Sequence, residues 1–185
     1  MLRLADEWRV SDVAYLAPAA SNHTWYPQSF LAPIDQNEPA LSSALRVLGG
    51  LVESLAVQGI GPDRVLIVGF SQGACLGLEY VARHAKRYGG VVGLSGGLIG
   101  PPGLVRNDVG SLNGTPVLLG CSDVDPHIPL ERVHESAETF RRMAGAVDER
   151  IYRGMGHTVN DDELQAVGTL LRGSGSELEQ SLRTI

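Results

Sequence analysis

The sequence has few of the residues that mark disulfide-bonded, nucleic-acid-binding or metal-binding proteins. Its two cysteines, Cys75 and Cys121, lie in apolar surroundings, which favours buried, reduced thiols over a disulfide. The 15 basic and 21 acidic side chains give a net charge of −6, and no basic cluster supports a nucleic-acid partner. The five histidines are scattered without the spacing of metal ligands. We therefore expect neither nucleic acid nor metal to bind.

Signals for membranes and for common cofactors are also missing. No apolar run approaches the ~20 residues that a membrane span needs, so no membrane span is expected. The charges at Arg3 and Asp6 fall where a signal peptide would have its apolar core, which makes a cytoplasmic protein the simplest expectation. The Gly/Pro-rich residues 96–103 lack the Lys-Ser/Thr ending of a phosphate-binding loop. We expect no cofactor.

Length and composition predict one globular domain. A chain of 185 residues with 43% hydrophobic and 19% charged side chains can bury one substantial core. We expect a single domain over residues 1–172. Residues 173–185, which begin with glycines and serines, are predicted to form a frayed tail.

Short apolar runs alternate with longer amphipathic stretches along the chain. This alternation is typical of an α/β protein whose sheet is mostly parallel and flanked by helices. The predicted strands are residues 13–17, 65–68, 91–94, 116–120 and 149–152. The predicted helices are residues 39–58, 74–88, 130–144 and 161–171, with glycines at 89 and 90 ending the second helix.

A nucleophile motif stands between the second predicted strand and the helix after it. Residues 69–73 read GFSQG and fit the Gly-x-Ser-x-Gly elbow, which exposes a serine hydroxyl on a tight strand-to-helix turn. Small residues on both sides of the serine are expected to let the backbones pass. The helix N-terminus favours the negative charge of acyl transfer, and the N–H of Gln72 would donate to the oxyanion. Ser71 is the predicted nucleophile; an idle serine in a packing turn is the alternative.

The order Ser, acid, His then points to the two partners of the serine. His157 follows the last predicted strand in a Gly-flanked loop and is the predicted base, whereas His134 falls within a helix and reads as a surface residue. Asp123 and Asp125 compete for the acid. Asp125 is preferred because Pro126 restricts the backbone before it and so fixes the direction of its carboxylate, leaving Asp123 to bind its own turn.

These segments together resemble the phospholipase/carboxylesterase family of α/β-hydrolases, which includes the acyl-protein thioesterases. The matching motifs are GFSQGA at residues 69–74, LSG at 94–96, DPHIP at 125–129 and YRGMGH at 152–157. The resemblance implies a triad of Ser71, Asp125 and His157, a cofactor-free mechanism and small carboxylic esters as substrates. Residues 24–27, TWYP, are similar to an aromatic loop that approaches the active site in bacterial members.

One part of the family pattern is missing. Members carry a strand that ends in a His-Gly-x-Gly-type loop before the equivalent of residues 13–17, and no His-Gly pair occurs in this chain. We therefore expect an N-terminally shortened α/β-hydrolase fold without the loop that gives the other oxyanion donor; a mis-assigned or truncated start is the alternative. An unfilled strand position would expose a sheet edge, which makes a homodimer a hypothesis.

The predicted function is hydrolysis of small to medium acyl esters, with small-molecule esters as the partners of the site. An acyl-protein thioesterase is the alternative within the enzyme class. A hydrolase relic that serves as a binding protein is the alternative from another class. Candidates for the apolar acyl pocket, each with core or loop packing as its alternative, are Trp25, Tyr26, Phe30 and Leu98. His127, in the loop of the acid and too near Asp125 in sequence to be the base, is a further candidate for lining the pocket.

Overall fold

The structure is a computed structural model that describes residues 7, 8 and 10–182, without the side chains of residues 174–182. Four strands form the sheet: β1 (Leu66–Phe70), β2 (Gly90–Leu94), β3 (Pro116–Ser122) and β4 (Ala146–Tyr152). Four longer α-helices are α1 (Ala40–Val57), α2 (Gln72–Arg83), α3 (Leu130–Arg142) and α4 (Asp161–Leu182). Short 3₁₀ turns lie at Ser21–His23, Ile34–Asn37 and Pro62–Arg64.

All neighbouring strands are parallel, in the order β1-β2-β3-β4. The last residues of β1 and β2, Phe70 and Leu94, are partners in register, and Ser122 of β3 is opposite Tyr152 of β4. Parallel strands that are covered on both faces read as continuous apolar runs, and every residue of β2 is buried. The carboxyl ends of the strands consequently open at one edge of the sheet, which carries the site.

Helices cover both faces of the sheet and enclose a core on each. Alternate residues of one strand point to opposite faces, so Val91 belongs to the first core cluster and Val92 to the second. The first cluster lies against helices α1, α2 and α3, while α4 and the segment around Tyr15 pack in the second. Burying one large apolar side chain such as Phe140, which is fully enclosed, contributes about 1.5–3 kcal/mol.

Helix α1 shows how composition alone can mislead about membranes. Within the part of the chain that the structure describes, it is the one helix long and apolar enough to cross a membrane by length and composition. Core helices of other proteins pass the same test. Here Leu41, Leu45 and Val52 of α1 are buried in the first cluster, so the apolar face of the helix packs in the core.

Helix α2 ends five residues earlier than predicted, because the segment after it is drawn into tertiary contacts. Its last residue is Arg83. Tyr88 is fully buried, its N–H donates to the Thr115 hydroxyl (2.9 Å), and its own hydroxyl donates to the carbonyl of His84 (2.8 Å). The prediction that the glycines at 89 and 90 end the helix is therefore wrong, since Gly90 is the first residue of β2.

The prediction of a strand at residues 13–17 is also wrong. The alternation seen in the sequence is real, because Val13 and Tyr15 are half-buried against the second cluster while Ala14 and Leu16 are exposed. A strand also needs a hydrogen-bonded neighbour, and none of the four described strands pairs with this segment. It packs in the second cluster, against residues of β2 and β3, instead of joining the sheet.

The other predicted elements are present, with shifted ends. Helix α1 matches its predicted range within one residue at each end, and β1, β3 and β4 are each longer or displaced by a few residues. Helix α4 continues to Leu182, past the predicted end near residue 171. The domain boundary at residue 172 and the frayed tail stay predictions.

Two glycines flank the turn from β1 into α2, and the structure needs only one of them for space. A Cβ on Gly69 would lie 2.4 Å from the backbone carbon and oxygen of Gly73 and 2.5 Å from the nitrogen of Ala74. A Cβ on Gly73 would meet nothing within 4 Å. The expectation that both positions must be small is thus correct for Gly69, whose backbone passes directly under the helix, and wrong for Gly73.

This difference gives a paired prediction. Gly69→Ala should lower the free energy of unfolding by roughly 2–3 kcal/mol or more, because backbone atoms cannot move aside as a flexible side chain can. Gly73→Ala, in the first turn of α2, should change it by less than about 1 kcal/mol, since alanine favours helix. Urea unfolding of both variants and the parent measures the two values, and equal losses would contradict the steric explanation.

Candidate active site

Ser71 stands at the point where β1 becomes α2, in a conformation that L-residues rarely adopt. Its φ is 54° and its ψ is −124°, at the N-cap of the helix. Its N–H donates to the carbonyl of Leu94 on β2 (2.9 Å), and its carbonyl accepts from the N–H of Cys75 in the helix (3.0 Å). Strain of this kind costs about 1–3 kcal/mol and persists where the surroundings hold it, as these bonds from strand and helix do here.

The hydroxyl of Ser71 is joined to two side chains from the loops after β3 and β4. His157 Nε2 lies 2.9 Å from Ser71 Oγ, and His157 Nδ1 lies 2.7 Å from Asp125 Oδ2. These distances let Nδ1–H donate to the carboxylate while Nε2 accepts the serine proton. The structure thus brings together the three residues that the sequence singled out from loops up to 86 residues apart.

The carboxylate of Asp125 is held in one orientation by several donors. Its Oδ1 accepts from the N–H groups of His127 (2.8 Å) and Ile128 (3.1 Å), and its Oδ2 lies 3.8 Å from the Cys121 thiol. The side chain is fully buried. Burial alone would raise the pKa of Asp125, but the hydrogen bonds from His157 and from the two N–H groups outweigh it and hold that pKa below its ordinary value. The group is therefore an anion at neutral pH.

Cys121 takes part as a neutral thiol. Burial, together with the charge of Asp125, raises the pKa of the Cys121 thiol to about 12. Burial likewise raises the pKa of Cys75 to about 11. Both cysteines are buried and free, as predicted. The Cys121 thiol can therefore donate a hydrogen bond to the Asp125 carboxylate.

Asp123, the rejected candidate for the acid, holds the loop that carries the histidine. Its Oδ1 accepts from the N–H of Gly154 (2.8 Å), and the hydroxyl of Ser122 accepts from the N–H of Gly156 (3.1 Å). The expectation that Asp123 binds its own turn is wrong, because its partner lies 31 residues further along the chain. The end of β3 thus fixes both the acid and the approach of His157.

Two rings enclose the imidazole of His157. Phe70 lies against it with ring centroids 4.9 Å apart, and His127 approaches it edge-on at 4.8 Å. His127, a candidate for the substrate pocket, is exposed and therefore lies at the solvent-facing border of the site. His134 lies exposed on α3 and pairs with Glu149, away from the site, as its helical position predicts.

The segment that follows His157 is anchored on the other side by Ser95. Ser95 is buried, has a φ of 47°, and donates from its hydroxyl to the carbonyl of Thr158 (3.3 Å). Helix α4 then starts with a reciprocal cap, in which Asn160 Oδ1 accepts from the N–H of Glu163 and Glu163 Oε2 accepts from the N–H of Asn160, both at 2.9 Å. The chain is thus held by hydrogen bonds on both sides of His157, at Gly156 before it and at Thr158 after it.

Gln72 places a backbone donor next to the nucleophile. It is the first residue of α2, where N–H groups have no acceptor within the helix, and the helix dipole adds partial positive charge. This is the position that the sequence assigned to an oxyanion donor. Its side chain points to the aromatic loop, where Oε1 accepts from the N–H of Trp25 (2.9 Å).

The remaining pocket candidates are placed mainly in the core. Tyr26, Phe30 and Leu98 are 2%, 7% and 2% exposed and belong to the first core cluster, so core packing, the alternative that the sequence left open, describes them. Trp25 is half-buried and packs against that cluster from its edge. Within the described ranges no group of three or more His, Cys, Asp or Glu side chains could hold a metal ion.

Sequence reasoning missed the supporting residues of the site. Their common feature is a position at or next to the end of a strand, which is the one signal that could have found them. They are Phe70, Ser95, Cys121 and Ser122.

Comparison with known proteins identifies the family. The family model for phospholipase/carboxylesterase matches residues 11–174. Acyl-protein thioesterase 1 of Saccharomyces cerevisiae is 31% identical over 121 residues, which cover 63% of this chain and 52% of that protein. Acyl-protein thioesterase 1 of Gibberella zeae is 32% identical over 124 residues, which cover 66% of this chain and 53% of that one. The chain therefore spans about half the length of the curated relatives it matches.

A solved structure gives the same result. The crystal structure of a phospholipase/carboxylesterase from Dyadobacter fermentans is 44% identical, with a TM-score of 0.79, over 82% of this chain and 73% of that one. The resemblance seen in the sequence motifs and the predicted α/β-hydrolase fold are both confirmed. The chain belongs to the phospholipase/carboxylesterase family of α/β-hydrolases.

Proposed function

We propose that this chain hydrolyses carboxylic esters by acyl transfer through Ser71. The observation that carries the proposal is the continuous series of hydrogen bonds from Ser71 Oγ through His157 to Asp125, at 2.9 and 2.7 Å. An idle serine in a packing turn would not need a histidine and a buried carboxylate aligned behind its hydroxyl. The strained backbone of Ser71 supports the same conclusion.

The reaction has two steps. Ser71 Oγ attacks the ester carbonyl while its proton passes to His157 Nε2, and Asp125 stabilises the imidazolium that forms. The tetrahedral intermediate collapses when His157 protonates the leaving alcohol, which leaves an acyl-serine. A water molecule then attacks the acyl-serine, giving its proton to His157, and the carboxylic acid departs as Ser71 Oγ takes the proton back.

The intermediate places negative charge on the former carbonyl oxygen. The N–H of Gln72 and the N-terminus of α2 would stabilise that oxyanion. Losing one oxyanion donor costs about 10²–10³ in turnover, so a site with this donor alone would be slower than one with two. It would still hydrolyse activated esters measurably, because the serine, base and acid are aligned.

Small to medium acyl esters are the proposed substrates, and an acyl-protein thioesterase is the second candidate because relatives carry that name. The same serine can attack an ester or a thioester carbonyl, so the comparison of kcat/KM for matched oxygen and thiol esters separates the two. A non-catalytic binding protein is the alternative from another class. We also propose a cytoplasmic location, to which the two buried free thiols are suited.

The homodimer stays a prediction, which rests on the edge of the sheet. Strand β1 is at one edge of the described sheet, and an edge strand offers unpaired N–H and C=O groups to a second chain. Light scattering should give twice the mass of one chain in dilute solution, and a monomer mass at all concentrations would contradict it.

The first activity prediction concerns the nucleophile. Ser71→Ala should abolish hydrolysis of p-nitrophenyl acetate, butyrate and octanoate, because among the described side chains only the Ser71 hydroxyl is bonded to His157 Nε2. Ser54→Ala, which alters an exposed serine on α1, is the matched control and should keep the rates of the parent chain. Ester hydrolysis followed by absorbance measures both variants. Equal rates in Ser71→Ala and the parent would refute the proposal.

The second concerns the acid. Asp125→Asn should lower kcat by about 10³–10⁴, because an amide favours the wrong imidazole tautomer. Asp123→Asn should have a smaller effect, since Asn can still accept from the N–H of Gly154 through its own oxygen. Steady-state kinetics of the pair gives the test, and a larger loss in Asp123→Asn would reverse the assignment of the acid.

The lowered pKa of Asp125 also predicts a pH dependence of stability. A carboxyl group whose pKa is lower in the folded than in the unfolded chain stabilises the fold above its unfolded value of about 3.9, and loses this effect as the pH falls through the folded value. The stability difference between the parent and Asp125→Asn should thus be constant near neutral pH and shrink below about pH 4. Urea unfolding at pH 7 and in acid measures it; a difference that grows in acid would contradict the sign.

A further inference from the structure

The carboxamide of Gln72 is bonded on both its oxygen and its nitrogen to one short segment. Gln72 Oε1 accepts from the N–H of Trp25 (2.9 Å), and Nε2 donates to the carbonyl of Tyr26 (2.9 Å) and to the hydroxyl of Thr24 (3.1 Å). The Thr24 hydroxyl in turn donates to the carbonyl of Tyr26 (2.9 Å). The Gln72 side chain thus makes hydrogen bonds to the backbone of residues 25 and 26 of the kind that a neighbouring strand would make.

This segment is distant in sequence and is fixed from two directions. Gln72 lies 46 to 48 residues after it. Tyr26 is 2% exposed and belongs to the first core cluster, so its ring fixes the segment to the core. The Gln72 amide ties the backbone on either side of that ring to the residue next to Ser71. The segment is therefore held within the length of one side chain from the nucleophile turn.

The middle residue of the segment 24–26 is Trp25. Trp25 packs against the edge of the first core cluster and is only half-buried, and its backbone N–H is bonded to Gln72, the residue after Ser71. An aromatic ring of this size can cover a hydrocarbon chain and remove its methylenes from water. An acyl chain on Ser71 that extends toward this segment would meet such a ring.

We propose that Gln72 is a positioning residue whose carboxamide holds Trp25 in place as the wall for the acyl chain of the substrate. The proposal rests on the function proposed for Ser71 and adds the structural origin of acyl-chain preference. The backbone N–H of Gln72 acts on the reacting oxygen, while its side chain acts only through Trp25. Replacing the side chain keeps the first role and removes the second.

The first test reads Trp25 directly and does not depend on activity. Trp8→Phe removes the other tryptophan of the chain, so that fluorescence reports on Trp25. In that background Gln72→Met keeps the length of the side chain and loses every hydrogen bond. The matched control is Gln58→Met, which removes an amide bonded to the carbonyl of Ser54 at the exposed end of α1.

We expect Gln72→Met to shift the Trp25 emission to the red and to raise its quenching by acrylamide about twofold or more, because losing the hydrogen bonds to the carboxamide frees the segment. Gln58→Met should match its parent. If Gln72→Met gives the emission and quenching of the parent while its circular dichroism stays native, the carboxamide does not hold Trp25 and the proposal is overturned.

The second test uses substrate length. The ratio of kcat/KM for p-nitrophenyl octanoate to that for the acetate should fall about tenfold in Gln72→Met, mainly through the KM of the octanoate. Gln72→Glu keeps the acceptor for the Trp25 N–H and should show a smaller fall. Trp25→Ala should lower the ratio at least as much as Gln72→Met. An unchanged ratio in Gln72→Met would overturn the proposal.

The two tests separate this inference from the function on which it rests. A folded parent chain that hydrolyses no ester would contradict the proposed function, and the fluorescence result would still decide whether Gln72 holds Trp25. An active parent whose length preference ignores Gln72 would leave the proposed function standing and contradict the inference alone.

Discussion

The geometry of the site depends on the way the parallel hydrogen-bond ladder continues one step past the ends of the strands. The N–H of Ser71 bonds to the carbonyl of Leu94, that of Ser95 to Gly120, and that of Asp123 to Tyr152, at 2.9, 2.7 and 3.1 Å. Each first residue of a loop is thereby fixed to the strand next to it. Loops that start at fixed heights along one edge can bring a serine, a carboxylate and a histidine together from distant parts of the chain.

Buried charge is the second requirement, and the site meets it with donors rather than with solvent. A fully buried carboxylate is costly unless it is hydrogen-bonded, and Asp125 has two backbone N–H groups, the imidazole of His157 and the thiol of Cys121 around it. Cys121 can fill this place because burial keeps its thiol neutral. The same contacts that stabilise the anion also fix the direction in which it meets His157.

Sequence reasoning succeeded where a local pattern has one physical meaning. The apolar runs of β1 to β3, the elbow around Ser71 and the order of the loops that hold Asp125 and His157 each follow from neighbours in the chain. It failed where the decisive partner is remote. The strand predicted at residues 13–17 has no ladder partner among the described strands, and helix α2 ends at Arg83 because Tyr88 is bonded to Thr115. The role of Asp123 depends on Gly154, and that of the Gln72 side chain on residues 24–26, which no spacing reveals.

The central claim is that the hydroxyl of Ser71 is an activated nucleophile in this chain. The most direct measurement is labelling of the folded chain with a fluorophosphonate, followed by mass spectrometry of its peptides. A phosphonyl group should appear on Ser71 in the parent and be lost in His157→Ala, because the serine needs its base to attack phosphorus. A folded parent that takes up no label, or that carries it on another residue, would contradict the claim and make a non-catalytic binding protein the better description.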